Sequence, residues 1–234
     1  MKKGLLSISL FAAALISCAG SASAQYSLPP GTPEDVEATY TIAIENRTTA
    51  IIKALNLTDT NKSARVHDII IDQYRALRAR DAAIDSLLKL EGKDPSYSNR
   101  ARLLESESKP MHDQFLARLA AELSPEQVEL VKDRMTYNKV QVTYDAYCSI
   151  FPALTEADKS EILAKLKLAR EAAMDGGSAG EKSAIFQTYK EQINVYLTAH
   201  GQDVARAYKE WDAKQQAATK SADASAPNAN PPAK

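Results

Sequence analysis

Cysteine is scarce in this sequence, which has only Cys18 and Cys148 among its 234 residues. Cys18 lies in an N-terminal segment that we expect to be either removed or lipidated, so Cys148 has no partner for an internal disulfide. Small domains in oxidising compartments often depend on disulfides, and this one must depend on its apolar core instead. The apolar neighbours of Cys148 favour a buried, inert thiol over a nucleophile.

The sequence also lacks an apolar run long enough to cross a membrane. The run over residues 5–16 follows the basic pair Lys2-Lys3 and spans about a dozen residues, whereas a transmembrane helix needs roughly 20. A run of this length is typical of a secretory signal, and Ala22-Ser23-Ala24 fits the small-residue site that signal peptidase cuts. We therefore predict a signal peptide over residues 1–24 and an exported bacterial protein, periplasmic or secreted.

A second processing route is open in the same segment. Leu15-Ile16-Ser17-Cys18 resembles a bacterial lipobox, in which Cys18 would be lipidated and become the new N-terminus. That lipid would anchor the protein to a membrane. We favour cleavage after Ala24, because the small-residue site is well formed and polar residues follow it directly. A membrane partner is expected only if Cys18 is lipidated.

An excess of charge of either sign is lacking as well. The 29 basic residues nearly balance the 30 acidic ones, and removal of Lys2 and Lys3 with the signal changes the net charge only from −1 to −3. Nucleic-acid binding requires a concentrated basic surface, so we expect no nucleic acid as a partner. The chain has neither a His-Glu-x-x-His motif nor a cysteine pair, so we predict no metal site, and no motif indicates a cofactor.

Helix start signals and helical spacing of apolar residues dominate the rest of the sequence. Thr32-Pro33, Ser124-Pro125 and Thr155 each place a capping hydroxyl before an acidic first turn, and Thr58-Asp59 is a weaker fourth start. Behind each start, apolar residues recur three and four positions apart. We predict an all-α domain of about seven helices, a bundle or an array, over residues 32–218.

The expected helices follow the apolar stripes in chain order. We place them around residues 36–55, 66–88, 104–119, 128–151, 162–174, 185–196 and 204–211. The third should bend or restart at Pro110, because proline lacks the N–H group that a helix needs. In the fourth, Val140, Val142 and Tyr144 also alternate like a strand. We predict helix there, since the longer window from Val128 fits three-and-four spacing.

The segments that flank this domain are expected to be irregular. Residues 25–31 form a linker after the signal peptide. Residues 219–234 contain no aromatic or branched apolar side chain. Nothing in them offsets the entropy cost of ordering, so we predict a disordered tail.

The loop after the fifth predicted helix is one candidate ligand site. Residues 176–183 superficially resemble a phosphate-binding loop, but Glu181 stands where that motif needs glycine, and a helix rather than a strand precedes the loop. The next helix would still leave backbone N–H groups free near Ser178 and Lys182, where an anion or a polar ligand can bind. An ordinary interhelical turn is the alternative.

Tyrosines supply the second group of candidates. Three of the ten lie close together on the fourth predicted helix, and two others, seven positions apart, share a face of the sixth. Tyrosine can stack on sugar rings while neighbouring amides and guanidinium groups bind the hydroxyls, although core packing is the alternative for most of them. The candidate ligand-binding residues are Arg134, Tyr137, Asn138, Tyr144, Asp175, Ser178, Lys182, Tyr189, Lys190 and Asn194.

Two long stretches and one shorter segment resemble a known family. They are Leu123-Ser-Pro-Glu-Gln through Thr143-Tyr144, Ala169 through Gly176-Gly177-Ser178 to Tyr196-Leu197, and residues 64–75. The resemblance covers nearly all of residues 32–212, and the family is the domain-of-unknown-function 3826 family. It implies a secreted helical domain, in bacteria rich in polysaccharide-degrading systems, with sugar binding as its suggested role and no established reaction.

This chain departs from the pattern of that family at two places. Ser183 stands where relatives often have histidine, and Glu191-Gln192 replace a Gly-Arg pair. Ligand contacts at these positions are therefore expected to differ in this member.

Three functions are consistent with the sequence. The first is a non-enzymatic carbohydrate-binding module for an oligo- or polysaccharide, which rests on the tyrosine and amide residues and on the resemblance. The second is a periplasmic chaperone-like or interaction protein, because helix starts of the Leu57-Thr58 kind are also seen in small periplasmic stress chaperones. The third is an unrecognised glycan-active enzyme. We favour the first.

Overall fold

A computed structural model describes the backbone of residues 33–93 and 97–225, and the side chains of residues 34–93 and 108–218. The expected signal peptide, the linker and the last part of the tail, residues 226–234, lie outside the described residues. The chain divides into two compact units, Met1–Thr39 and Tyr40–Lys234. Of the first unit only residues 33–39 are described, and they begin the first helix.

The described residues form eight α-helices and no strand, which confirms the predicted all-α fold. None of these helices is long and apolar enough to cross a membrane. In chain order they are α1 (Pro33–Leu55), α2 (Thr60–Leu90), α3 (Tyr97–Glu122), α4 (Pro125–Met135), α5 (Lys139–Ile150), α6 (Glu156–Met174), α7 (Ala179–Ala199) and α8 (Val204–Ser225).

Three of the predicted helix starts are confirmed by capping hydrogen bonds. The Ser124 hydroxyl accepts from the Gln127 N–H, and the Gln127 side chain accepts from the Ser124 N–H at 3.1 Å, which forms a capping box before α4. Thr155 and Asp158 make the same reciprocal pair before α6. Before α2 the Asp59 carboxylate accepts from two N–H groups of the first turn. Local hydrogen bonds thus set where these helices begin.

The helix predicted over residues 128–151 is divided into α4 and α5, which raises the number of helices from seven to eight. Tyr137 and Asn138 between them have φ angles of 59° and 53°. This left-handed conformation costs a residue with a Cβ roughly 1–2 kcal/mol, although asparagine adopts it more readily than most. The Thr136 hydroxyl donates to the Lys132 carbonyl at 2.8 Å at the end of α4. Residues 139–150 are helical, so the strand alternative for this stretch is wrong.

Two further boundaries differ from the expectation. α3 is one α-helix with Pro110 inside it, so no second helix starts there. α8 continues to Ser225, so residues 219–225 are helical where we predicted the beginning of the tail. Those residues contain neither glycine nor proline, the two residues that most disfavour a helix, and a helix needs only local backbone hydrogen bonds to continue.

Two clusters of buried apolar side chains hold the helices of the second unit together. The first is built from α1, α2, α3 and α4 and also includes Met174 of α6. The second is built from α5, α6 and α7, with Tyr208 and Trp211 of α8 packed against it. Ile162 and Leu166 of α6 belong to this second cluster. α6 contributes to both clusters and therefore connects them.

We expect Asn138→Ala to be less stable than Asn138→Gly. Both variants lose the same amide, but alanine keeps a Cβ in the left-handed conformation whereas glycine adopts it without that cost. The free energy of unfolding, measured by urea denaturation, should differ by about 1 kcal/mol between the two variants. Equal stabilities would contradict a left-handed Asn138.

Candidate functional site

A cleft of about 670 Å³ lies between α4, α5 and α6. Its volume falls in the range of small-molecule sites, roughly 300–1,000 Å³. Six of its nine lining residues are polar, and they come from all three helices and from the break between α4 and α5. The polar residues are Glu129, Asp133, Asn138, Gln141, Lys167 and Arg170.

Arg170 is the most deeply buried charged residue of the cleft, with 4% of its surface exposed. One of its terminal nitrogens donates to Asp133 at 2.6 Å, and the other donates to Glu129 and, at 3.0 Å, to Glu171. Burial works against its charge, but these three hydrogen bonds outweigh burial and raise the pKa of Arg170. Its third nitrogen, Nε, is buried and has no hydrogen-bond partner among the described residues.

Glu129 is the carboxylate beside Arg170 whose pKa is shifted. Partial burial works against ionisation of Glu129, but hydrogen bonds from Arg170 and Lys132 outweigh it and lower the pKa of this residue. Lys132 lies 3.0 Å from Glu129 and 3.1 Å from Glu171. The charged wall of the cleft therefore supplies hydrogen-bond acceptors on carboxylates and donors on cations, and Glu129 has no proton to donate.

A line of polar contacts extends from this wall to the loop between α6 and α7. His112 of α3 lies 3.7 Å from Glu171 and 3.2 Å from Asp175 through its two ring nitrogens. The hydrogen bond to Asp175 raises the pKa of His112 despite its partial burial. Beyond it, Arg80 of α2 donates to the Asp175 carbonyl at 2.6 Å and to Asp81 at 2.8 Å. The loop is thus tied to α2 and α3.

The loop itself uses its polar groups internally. The Ser178 hydroxyl accepts from the Glu181 N–H at 3.1 Å, and the Glu181 carboxylate accepts from the Gly177 N–H at 2.8 Å. Lys182 is 3% exposed, and its ammonium group donates to the carbonyls of Ala173 at 2.8 Å and Met174 at 3.2 Å, at the end of α6. Burial lowers the pKa of Lys182 to about 8. These contacts describe an interhelical turn in which Lys182 caps α6.

The tyrosines of α5 and α7 pack against the second cluster. Tyr147 is 2% exposed. Its hydroxyl donates to Asn194 Oδ1 at 3.0 Å and lies 3.2 Å from the Lys190 carbonyl oxygen. Burial raises the pKa of Tyr147. Tyr144, Tyr189 and Tyr196 are partly buried against the same cluster. These four side chains therefore follow the core-packing alternative.

The ten candidate residues from the sequence do not meet in one cleft. Asn138 lines the cleft, whereas Arg134 and Tyr137 are exposed at the end of α4, with Tyr137 41% exposed. The others form two groups, one around the second cluster and one at the α6–α7 loop: Tyr144, Tyr189, Lys190 and Asn194, and Asp175, Ser178 and Lys182.

Of the residues that line the cleft, only Asn138 was a candidate from the sequence. One sequence signal for the cleft was nevertheless present at Arg170. Arg170 follows Leu163 and Leu166 at helical spacing, so it continues an apolar stripe of α6. A charged residue in such a stripe indicates a buried ion pair. Its partners Glu129 and Asp133 are four positions apart and share a face of α4.

Among residues 34–93 and 108–218 there is no group of three or more His, Cys, Asp or Glu side chains that could hold a metal ion.

The described residues form an all-α fold whose helices pack around two apolar clusters. The model of the DUF3826 family, described as a protein of unknown function, matches residues 41–217. The chain belongs to this family, which confirms the resemblance seen in its sequence. No curated protein matches the chain.

We expect Gly177→Ala to destabilise the α6–α7 loop. A Cβ at Gly177 would lie 1.7 Å from Asp81 Oδ2 and 2.9 Å from Asp81 Cγ, and Arg80 holds that carboxylate in place. Forcing an extra carbon into such a contact costs about 1–3 kcal/mol, measured as a lower free energy of unfolding. Gly180→Ala is the matched control: its nearest neighbour would be 3.8 Å away, and it should not destabilise the protein. Equal losses in both variants would contradict the close contact with Asp81.

The contacts of His112 predict a pH-dependent contribution to stability. Because the pKa of His112 is raised in the folded protein, its contribution is fully present below its ordinary pKa of about 6.5 and is lost as the pH rises through the higher folded value. The stability advantage of the wild type over His112→Gln should therefore be larger at pH 5.5 than at pH 9 in urea denaturation. His200→Gln, at an exposed histidine, controls for loss of an imidazole; an advantage independent of pH would refute the role of the Asp175 contact.

Proposed function

We propose that this chain is an exported, non-enzymatic binding module that holds an uncharged segment of an oligo- or polysaccharide in the cleft between α4, α5 and α6. The N-terminal signal expected from the sequence supports export. The composition and the hydrogen-bonding state of the cleft support the ligand class.

The observation that carries the proposal is the unpartnered donor of Arg170. A buried donor without a partner costs roughly 1–3 kcal/mol, and Arg170 Nε is such a donor in a residue that lines the cleft. Its guanidinium is held by Glu129 and Asp133, so it does not have to be ordered when a ligand binds. This atom is shielded from solvent in the described structure, so a ligand oxygen would satisfy it only after the side chains that cover it move aside.

The charge balance of the cleft favours a neutral ligand. Glu129 and Asp133 are offset by Lys167 and Arg170, all of which line the cleft. An ionised carboxylate can only accept hydrogen bonds, whereas charged lysine and arginine side chains can only donate them. Sugar hydroxyls do both, so an uncharged polyhydroxylated ligand can bind both kinds of group without bringing excess charge.

Apolar side chains line the same cleft beside its polar groups. Val140 and Val142 come from α5 and Leu163 comes from α6, and Val142 is 54% exposed. The C–H faces of a sugar ring can pack on such a surface, as binding sites usually combine apolar lining with a few placed polar groups. Aliphatic residues would take the place that the sequence analysis assigned to tyrosines.

The contacts of Glu129 and Asp133 support binding rather than catalysis. Glycoside hydrolysis requires a carboxylic acid whose pKa is raised so that it can donate a proton. The pKa of Glu129 is lowered instead, and both carboxylates are engaged with Arg170. Neither is suited to be the general acid.

Glycan binding in the cleft can be tested by obstructing the cleft with a large side chain. Val142→Trp places a large side chain on an exposed valine that lines it, whereas Val195→Trp does the same on α7 at a valine that is 71% exposed and outside the cleft. A glycan array with the purified protein should identify a neutral oligosaccharide. Calorimetry should then show at least a tenfold loss of affinity, about 1.4 kcal/mol, for the first variant and no change for the second.

Three outcomes would overturn the proposal. They are no binding to any neutral glycan, equal affinity of both tryptophan variants, and turnover of a bound oligosaccharide. Suppression of client aggregation at substoichiometric ratios, without glycan binding, would favour the chaperone-like alternative instead.

A further inference from the structure

Glu171 of α6 contacts Arg170 from outside the cleft. Nη2 of Arg170 donates to Oε1 of Glu171 at 3.0 Å, but Glu171 does not line the cleft. The other two carboxylates that accept from Arg170, those of Glu129 and Asp133, both line it. Glu171 therefore acts on a ligand in the cleft through the guanidinium group that it holds.

The other oxygen of Glu171 is held by two side chains from neighbouring helices. Nζ of Lys132 on α4 lies 3.1 Å from Oε2 of Glu171, and Nε2 of His112 on α3 lies 3.7 Å from the same oxygen. The side chains of Lys132 and His112 are only 12% and 16% exposed, so solvent screens these contacts less than it screens a surface ion pair. The two oxygens of this carboxylate thus connect His112 and Lys132 to Arg170.

The protonation state of His112 decides whether its ring suits both of its carboxylate neighbours. Nδ1 lies 3.2 Å from Oδ1 of Asp175, while Nε2 faces Glu171. An imidazolium ring has two N–H groups, whereas a neutral imidazole has one N–H group and one lone pair. Two carboxylates at two ring nitrogens therefore match the charged ring. The hydrogen bond to Asp175 and the charges of both carboxylates raise the pKa of His112, although burial and Lys132 oppose them.

The other charged groups near His112 come from four helices. Lys132 of α4 shares Glu171 with the ring, and Asp113 of α3 forms its own ion pair with Lys109. Arg80 of α2 donates to the Asp175 carbonyl, and Lys182 of α7 is close enough for the charge of Asp175 to favour its own. Lys182 also loses its charge in the alkaline range, because its pKa is about 8. A histidine variant is therefore needed to separate the two titrations.

Loss of the proton from His112 changes the position of Glu171. If Nδ1 keeps its hydrogen bond to Asp175, a lone pair on Nε2 faces Oε2 of Glu171 where an N–H group stood before, and the attraction becomes a repulsion. A carboxylate is planar and rigid, so a shift of Oε2 also moves Oε1. The guanidinium group of Arg170, which donates to Oε1, is then less firmly oriented in the cleft wall.

We propose that His112 is a positioning residue of the cleft, whose charged ring fixes Glu171 and through it the Arg170 guanidinium, so that the cleft binds its ligand more tightly at acidic than at alkaline pH. The effect on ligand affinity rests on the proposed function. The coupling of His112 to Arg170 does not, because it depends only on contacts within the chain.

NMR spectra of the Arg170 side chain test the coupling without a ligand. The Nε–H signal of Arg170 is followed from pH 5.5 to pH 9 in the wild type, in His112→Gln and in His67→Gln. In the wild type it should shift with the same midpoint as the carbon-bound ring protons of His112, and this shift should be absent from His112→Gln. His67 also contacts two carboxylates, Glu45 at 2.9 Å and Asp68 at 3.3 Å, so His67→Gln is the matched control and should behave as the wild type does.

Calorimetry measures the effect on binding with the neutral oligosaccharide that the glycan array identifies. The wild type should bind it about threefold more tightly at pH 5.5 than at pH 9, a coupling of the size that packed polar networks transmit, and His112→Gln should lose this difference. By linkage, binding should also take up protons near the midpoint of His112. Proton uptake is seen as a dependence of the measured heat on the ionisation enthalpy of the buffer.

The two measurements separate a failure of this inference from a failure of the proposed function. An Arg170 signal that does not follow the His112 ring in the wild type would overturn the inference, and this result needs no variant that must fold. Glycan binding with an affinity independent of pH, or equally dependent on pH in His112→Gln, would overturn it as well and leave the proposed function intact. An Arg170 signal that follows His112 in a protein without glycan binding would support the coupling and refute the proposed function.

Discussion

The guanidinium of Arg170 connects α6 to α4 through Asp133 and Glu129. A buried arginine left without carboxylate partners carries an uncompensated charge, which costs far more than the net worth of its ion pairs. The two helices are therefore held to one relative position. Because α6 contributes to both apolar clusters, this contact sets how the clusters meet, and the cleft is the space that remains between α4, α5 and α6.

Those parts of the fold that arise from short-range chemistry could be predicted from the sequence. The Ser124 and Thr155 caps bond to residues three positions ahead, so their signals stand next to each other in the chain. Gly201, just after the end of α7, has a φ of 84°, the left-handed conformation that glycine commonly takes after a helix. The break at Tyr137 and Asn138 was not predictable in the same way, since neither residue requires the left-handed conformation.

The cleft depends on pairs that are remote in sequence. Arg170 and Asp133 are separated by 37 positions and His112 and Asp175 by 63, and no spacing rule connects such residues. Lys182 was a candidate ligand contact because it follows a glycine-rich loop, and the sequence gives no sign that its ammonium group donates to the carbonyls at the end of α6. Asn138, a candidate from the sequence, lies at the cleft, but the carboxylates that complete the wall were not distinguishable among 30 acidic residues.

The docking of α8 onto the second cluster has a spectroscopic consequence. Trp211 is the only tryptophan of the sequence, and its indole N–H donates to the Ser149 hydroxyl of α5 at 3.3 Å. Tyr208, one turn earlier on the same helix, meets the ring of Phe151 edge-on at 5.9 Å. Selectively excited fluorescence of the wild-type chain thus arises from a single site that reports on the seating of the last helix, and no extrinsic dye is needed to separate undocking of α8 from unfolding of the rest.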